Sequence, residues 1–568
     1  MEKYFVREKI PESDLYELRE YPELMQELLF YRGVKTANKA DEFLNPNYDD
    51  HIHNPFLMKD MEKAVKRIFS AIDKKEKIII YSDYDCDGIP GGVILHDFFK
   101  KIKYENVKNH IPHRHKDGYG FHKSAIEEFA KKKVKLIITI DCGIADVNSV
   151  DRANELGINV IITDHHLPVG KLPNAYAIIN PKQNGDKYPY KDLSGAGLAF
   201  KLTQGLIKKG VFDIIDGWEK WLLDMVGIAT VADMVPLLGE NRCLAYYGIK
   251  VLRKSPRAGL IKLCGKIKIN QQHINEDDIG FMLAPRVNAA SRMDIPYDAF
   301  KLFITDDETE ADELSDYLNK INNERKGIVA SIIKEIKKRI ENLAEIKEVI
   351  VMGNPLWRPA LLGLAANSIV DEYEKPVFLW GGDDGNTLKG SCRSDGSVNL
   401  VNMMGMVKET FVAFGGHAYS GGFSITKENV YFLEDILNKS YIKAKEESCG
   451  DNEKIYIDKR LEIDDINWNT YGIIERLAPF GLGNPKPLFL FENIKITEAR
   501  HFGKDKNHLQ LDFKKNDNKT ISAICFFKNN ESFSALIEKG EKINLIASIE
   551  KSTFRNFPEL RLRIVDIL

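Results

Sequence analysis

At 568 residues the chain is too long for one hydrophobic core, so several domains are expected. Its composition, 43% hydrophobic and 29% charged, is ordinary for a soluble protein, and a net charge of −3 excludes a global basic field: a polyanionic partner would have to meet local basic surfaces. Seven scattered cysteines without a CxxC pair fit free thiols in a reducing cytoplasm better than a disulfide framework or a zinc knuckle.

The N-terminus is charged from its second residue, so no signal peptide is expected. Residues 1–45 read as a polar helical lead-in. Residues 46–306 read as an α/β domain: the apolar runs "KIIIYS", "KLIITI", "INVIITD" and "AYAIIN" alternate with helical stretches such as "MEKAVKRIFSAID" and "GGVILHDFFKKI", the pattern of a parallel sheet covered on both faces. The stretch "WLLDMVGIATVADMVPLLG" is the most apolar, but it carries Asp224 and Asp233, which a bilayer span avoids. Residues 307–346 read as one connector helix of about 45 Å, with Leu314, Leu318, Ile321, Ile328, Ile332, Ile336, Ile340 and Leu343 in a stripe at helical spacing. Lys320, Arg325, Lys326, Lys334, Lys337, Lys338 and Arg339 stud its other faces, and most of the lysines, mixed with Glu324, Glu335 and Glu341, read as a solvated face. A smaller α/β domain follows at 347–445, with strands "EVIVMG" and "KPVFLW" around a helix and two Gly/Ser-rich stretches, "KGSCRSDGS" and "FGGHAYSGG". After a linker at 445–454, period-two segments such as "HLQLDF" and "KINLIASI" in 455–568 predict a β-barrel.

In an open parallel sheet, functional groups collect beyond the carboxyl ends of the strands. "YSDYDCDG" places Asp83, Asp85 and Asp87 there; Asp141 follows "LIITI"; Asp164, His165 and His166 follow "VIIT". Any one of these has an ordinary explanation, such as a helix cap. Acids and imidazoles at the ends of three strands are a different matter, because crowded carboxylates repel one another and call for cations. Carboxylates with imidazole and no thiolate ligand suit Mn²⁺ or Mg²⁺, and several acids in one place suggest two ions and hydrolysis at phosphorus.

These residues carry a resemblance. "DYDCDG", "DCG" and "TDHH" are similar to successive motifs of the DHH phosphoesterase superfamily. "IPHRHKDGYGFH", "GIATVADMVPLLGENR", "APRVNAASRM", "GSCRS", "FGGHAYSGG" and "LAPFGLGNPKPLF" follow in the order found in the RecJ exonucleases, from about residue 45 to the C-terminus. The resemblance implies a DHH catalytic domain, a DHH-associated domain and an OB-fold. It implies metal ligation by Asp83, Asp85, Asp141, His165 and Asp233, with Asp87 and His166 beside them and Asp141 bridging two ions. Spacing alone would make Asp233 a helix-interior residue. Arg114, Ser391, Arg393 and Ser394 match positions suited to a 5′ phosphate, Arg286, Asn288 and Arg292 would contact backbone phosphates, and His417 would approach the substrate. Stacking in the barrel would fall to Phe502, Phe526, Phe527 and Phe554, with Lys504, Lys506, Lys528 and Arg555 nearby. Ser82, Ser291 and Trp357-Arg358-Pro359-Ala360 depart from the usual pattern, and Arg358 would add a phosphate contact.

The expected function is a 5′-to-3′ exonuclease on 5′-phosphorylated single-stranded DNA, acting in repair and recombination from the cytoplasm. A monomer is expected, with a single-strand-binding protein or a helicase as the implied partners. The alternatives are a phosphodiesterase of short oligonucleotides or cyclic dinucleotides and a non-catalytic Cdc45-like scaffold.

Overall fold

The computed structural model describes residues 4–382, 387–447, 455–503, 506, 508–526, 533, 535–552 and 557–568. The first domain is built on a five-stranded parallel sheet with spatial order Val107–His110, Lys77–Ser82, Val134–Ile140, Asn159–Thr163, Ala177–Ile179. Successive residues of its strands enter opposite cores, as a pleated sheet requires. Ile78, Ile80, Leu136, Ile138 and Ile161 pack under the helices Gly88–Lys101 and Gly195–Lys209. Ile79, Tyr81, Ile137, Val160 and Ile162 pack on the other face with Phe129 and Val150, from the helices Lys123–Lys131 and Val147–Glu155. The edge strand Val107–His110 was not expected. It is short and only half-buried, so it lacks the apolar run that marked its neighbours.

The connector is a single helix, Glu308–Ile340, N-capped by Asp307, whose carboxylate accepts from the amides of Thr309 and Glu310. Its apolar stripe is divided. Leu318 and Ile321 complete the first domain's core, and Ile332, Ile336 and Ile340 enter the second domain's core with Leu361, Leu362 and Ile369. Leu343 lies past the end of the helix and is exposed.

The second domain carries a mixed five-stranded sheet, ordered Ala413–Gly416, Ser420–Thr426, Thr387–Arg393, Val377–Gly381, Ile350–Asn354, with only the last pair parallel. The C-terminal strands Phe489–Phe502, His508–Lys514, Thr520–Phe526, Glu559–Ile567 and Lys542–Ser552 pair in that order and close back on the first, a five-stranded barrel. The longest of these strands was not singled out from sequence; register shifts near Phe491/Ile494 and Ile496/Glu498 break its alternation.

Residues before 45 are more than a polar lead-in. Leu18, Met25, Leu28, Leu29 and Phe43 share the barrel's core, and strand Tyr4–Val6 pairs with Ile455–Ile457. Buried Arg242 ties this unit to the first domain, donating to the carbonyls of Phe43, Ala478 and Pro479. Lys504, Phe527, Lys528, Phe554, Arg555, Cys449 and most of the expected linker, 448–454, lie outside the described residues. Among the described residues, no helix is long and apolar enough to cross a membrane.

Candidate active site

Each strand end continues its hydrogen-bond ladder by one residue. The amide of Asp83 donates to Ile140 O (3.1 Å), that of Asp141 to Thr163 O (2.9 Å) and that of Asp164 to Ile179 O (3.2 Å). The backbone thus sets three acids in a row along the sheet edge. Asp141 holds a left-handed φ of 61°, a conformation that costs energy away from glycine or asparagine and recurs at functional sites.

The loops add the rest. Asp85 Oδ1 accepts from the amides of Asp87 and Gly88, which turns the chain into the following helix. Gly88 permits the turn: a Cβ there would lie 2.5 Å from the carbonyl oxygen of Asp83. Asp87 reaches across to the helix Gly195–Lys209 and accepts from its first amides, Gly195 (2.5 Å) and Ala196 (2.7 Å). A Cβ on Gly195 would sit 2.6 Å from that of Asp141, so the close approach of this helix needs glycine. Asp233 arrives at the C-terminal cap of Leu223–Ala232 and not inside a helix. His165 Nε2 lies 3.1 Å from Asp141, 3.6 Å from Asp233 and 3.7 Å from Asp87. His166 Nδ1 is 2.8 Å from Asp164, whose other oxygen accepts from the Ile144 amide.

The ligand-type atoms fall into three overlapping groups, each within 4.8 Å: Asp83–Asp85–Asp141, Asp141–His165–His166, and Asp87–His165–Asp233. Asp83 Oδ1, Asp141 Oδ1, His165 Nδ1 and Asp233 Oδ2 are buried without a hydrogen-bond partner. Burial and the neighbouring carboxylates push Asp83 and Asp141 well above the ordinary range, Asp87 up to about 7 and Asp233 up to about 9. Burial and the charge of His166 lower His165 to about 4, leaving it neutral and free to donate a lone pair. Burial opposes charge on His166, but its bond to Asp164 prevails and raises it, while Asp164 is held below the usual carboxylate range.

These groups open into a cavity of about 260 Å³ lined by Asp83, Tyr84, Asp85, Arg114, Tyr119, Asp141, His166, Asp233, Asn288 and Arg292. Its basic wall is crowded. Burial and the charges of Arg114, Arg325 and Arg393 depress Arg292 to about 9. Arg292 Nη1 donates to Ala360 O of the second domain, while its Nε is buried without a partner. Asn288 accepts from the Cys86 amide and so braces the acidic loop. Arg114 stands over the ring of Tyr84 (4.9 Å to its centroid).

Other expected residues do not line this cavity. Arg286 is buried in the helix junction, donating to Asn319 Oδ1 and Met282 O. Ser391 and Arg393 belong to the strand Thr387–Arg393, and Arg393 nestles against Gly363, where a Cβ would lie 2.7 Å from its Nη2. Ser394 closes a turn, donating to Val398 O and accepting from the Gly396 amide. His417 is exposed between the strands Ala413–Gly416 and Ser420–Thr426.

Three family models match: the DHH family N-terminal domain over residues 77–230, the DHHA1 domain over 346–441 and the RecJ OB domain over 457–566. The chain is 34% identical over 549 residues to the single-stranded-DNA-specific exonuclease RecJ of Bacillus subtilis, covering 96% of this chain and 67% of that protein. It is 30% identical to the RecJ of Haemophilus influenzae over 99% of both. The chain belongs to the RecJ exonuclease family. The crystal structure of RecJ with Mn²⁺ from Thermus thermophilus shares the fold over the whole chain and 79% of its own, with a TM-score of 0.82 at 23% identity. A manganese-bound exonuclease RecJ matches 69% of this chain and 97% of its own, at 26% identity and a TM-score of 0.60.

As a RecJ-family member with a DHH phosphoesterase domain, the chain is a metal-dependent nuclease. The donor set fits such an ion on its own terms. Four buried ligand-type atoms lack partners, the carboxylates resist ionising beside one another, and oxygen with imidazole suits Mn²⁺ or Mg²⁺.

Two residues of this RecJ site went unnoticed in the sequence. Tyr84 and Tyr119 line the cavity; the Tyr119 hydroxyl donates to Asp141 O (3.1 Å) and faces His166 Nδ1 (3.2 Å). Both stand inside the quoted motifs, and an aromatic between charged residues was the available signal. The departures from the family pattern are accommodated. Buried Ser82 fits because residue 92 is glycine, where a Cβ would lie 3.0 Å from the Ser82 hydroxyl. Ser291 donates to Asn288 O (3.2 Å), and Trp357 Nε1 donates to Glu335 on the connector (3.0 Å). Arg358 lines a neighbouring cavity with Tyr317, Lys320 and Glu324.

Proposed function

We propose that this RecJ-family chain is a single-stranded-DNA-specific exonuclease that degrades 5′-phosphorylated strands in the 5′-to-3′ direction, releasing mononucleotides in DNA repair and recombination. The observation that carries the reading is one cavity lined by Asp83, Asp85, Asp141 and Asp233, several of whose buried oxygens have no hydrogen-bond partner, and by Arg114 and Arg292. The names of the B. subtilis and H. influenzae relatives, single-stranded-DNA-specific exonucleases, support the substrate class. The catalytic unit is assigned to 46–306, the connector to 307–346, the associated domain to 347–445 and the OB-fold to 455–568.

Asp83, Asp85, Asp141, His165 and Asp233 would hold two ions, Mn²⁺ or Mg²⁺, with Asp141 common to two of the donor groups. Bound there, such ions supply positive charge at a phosphodiester and lower the pKa of water. The chain's own residues do the rest. Asp87 pins the helix Gly195–Lys209 against Asp141 and keeps the acids in register. Asp164 fixes the ring of His166 at the cavity wall and raises its proton affinity. Arg114, Asn288 and Arg292 position phosphates, with Ser391, Arg393, Ser394 and His417 contributed by the second domain. Hydrolysis breaks the bond from phosphorus to the 3′ oxygen of the terminal nucleotide, water supplies the new phosphate oxygen, and the shortened strand keeps a 5′ phosphate ready for the next cycle.

A non-catalytic scaffold has no need of seven intact acids and imidazoles. Strands labelled at either end test polarity: loss of 5′ label as mononucleotide, abolished in Asp141→Ala, is expected. Release from the 3′ end, or undiminished cleavage by Asp141→Ala, would overturn the assignment.

A further inference from the structure

Asp83 and Asp141 are set by the sheet ladder, but Asp233 stands at a helix end, and the chain leaves it through a left-handed φ of 58° at Met234. A non-glycine residue keeps that conformation only where its surroundings over-determine it. The restraints lie just downstream. Pro236 O accepts from the Tyr190 hydroxyl (3.0 Å) and from Asn241 Nδ2 (3.1 Å). The next amide, that of Leu237, donates to Leu482 O (2.7 Å), in the loop that leads into the barrel. Glycines flank the acceptor. A Cβ on Gly481 would lie 2.8 Å from Leu237 Cδ1, and one on Gly483, at a φ of 78°, 3.0 Å from Leu238 Cδ1. The loop is itself held firmly. Gly481 and Asn484 exchange both backbone hydrogen bonds (2.9 and 3.1 Å). The fully buried Asn484 side chain donates to Leu477 O and Pro479 O and accepts from Arg32 Nε.

Docking the barrel does not by itself require this bond, because Arg242 already ties the two units together through the carbonyls of Phe43, Ala478 and Pro479. What the Leu482 carbonyl and the two glycines add is a fixed stop against the segment that follows Asp233. We propose that the barrel-entry loop Gly481–Asn484 is a positioning element for Asp233. It acts through Leu237 and Leu238, and holds the turn at Met234 that presents the carboxylate to His165 and Asp87. The inference rests on the metal assignment above and extends it. The affinity of the first domain for its ion then depends on how the barrel is seated, so the barrel is part of the metal site's support as well as a binding module.

The probe is Gly481→Val, because residue 481 is not left-handed and its added Cβ would crowd only Leu237. Mn²⁺ is titrated calorimetrically into metal-free, full-length protein. Gly481→Val is expected to bind it about tenfold more weakly, the loss typical of a residue that supports a ligand, and the smaller Gly481→Ala about threefold more weakly at an unchanged melting temperature. Excess Mn²⁺ should return mononucleotide release to within about twofold of wild type, with KM for the strand unchanged. Gly472→Ala, in the helix Trp468–Glu475 where a Cβ meets nothing within 4 Å, should bind Mn²⁺ as wild type does. In an Asp233→Asn background, Gly481→Val should cost no further Mn²⁺ affinity, because it acts through that carboxylate. Unchanged Mn²⁺ affinity in both Gly481 variants, a full additional loss on top of Asp233→Asn, or activity that excess Mn²⁺ does not restore would overturn the positioning role. A wild-type protein that binds no Mn²⁺, or an Asp233→Asn variant that binds it as tightly as wild type, would overturn the metal assignment itself, and the positioning role with it.

Discussion

Two clusters of like charge face each other in this molecule, and they are built differently. The acidic one, Asp83, Asp85, Asp87, Asp141 and Asp233, is anchored through Asp83 and Asp141 at the carboxyl ends of adjacent parallel strands, where the ladder itself sets the spacing, and completed by the following loop and a helix end. The basic one gathers Arg114 from a loop, Arg292 from a helix, Arg325 from the connector and Arg393 from the second domain's sheet. The first lies within one domain, held by a sheet and the helices packed on it, and can be rigid. The second exists only while two domains and the helix between them are docked, so it can respond to what lies in the cleft. Arg114 and Asp85 act across the gap, yet Asp83 Oδ1, Asp141 Oδ1 and Asp233 Oδ2 on one side and Arg292 Nε on the other keep no hydrogen-bond partner.

The largest expected break in that picture comes from the acidic side. Asp233→Asn keeps the shape of the side chain and removes its charge. Metal-dependent release of mononucleotides should fall by more than about a hundredfold, beyond what loss of a supporting residue around a metal costs, and calorimetric titration should show weakened Mn²⁺ binding. Activity within a few-fold of wild type would remove Asp233 from the cluster's chemistry.

A second prediction sharpens the comparison through pH. Burial and the charges of Asp87 and Asp85 raise Asp233 to about 9, whereas in an unfolded chain an aspartate titrates near ~3.9. The folded state therefore binds the proton more tightly. Its contribution to stability is complete below about pH 4 and is lost as pH rises toward about 9. In metal-free protein, the melting temperature of wild type should decline relative to that of Asp233→Asn across this window, by a few degrees. Mn²⁺ should restore wild type most at the alkaline end, where the carboxylates are free to receive it. A constant difference between the two proteins over the window would show that Asp233 is not held protonated.

How far the two clusters could be read in the sequence follows from how they are built. The acidic strand ends were legible because each sits directly after an apolar run, and Asp83, Asp141 and Asp164 stop three such runs. Asp233 was not legible from spacing: it caps a helix whose apolar residues run all round, and only the motif set it apart. The basic cluster was less legible still. Arg325 stands among seven connector cations interleaved with glutamates, and nothing in the local pattern tells a half-buried guanidinium from a solvated one. The barrel was legible from period-two runs, except where bulges interrupt its longest strand. The docking of residues 1–45 onto the barrel depends on contacts some 400 residues apart in sequence, which no local pattern records.

The smallest expected effect lies where the basic cluster crosses into the second domain. Gly363 leaves the space in which the Arg393 guanidinium rests, and a methyl group there would meet Nη2 at 2.7 Å. The obstructed atom is the far end of a flexible side chain, and alanine suits the interior of the helix Pro359–Tyr373 better than glycine. Gly363→Ala should therefore leave the fold intact or slightly more stable, displace the guanidinium by a fraction of an ångström, and raise KM for a 5′-phosphorylated strand by about two- to fivefold, under ~1 kcal/mol, with kcat little changed. The same variant assayed on a strand with a 5′ hydroxyl should show no such rise, because the displaced charge then has no terminal phosphate to meet. An equal rise on both strands would move Arg393 from the terminal phosphate to the strand's backbone. The acidic cluster would be untouched in either case, since its parts all belong to the other domain.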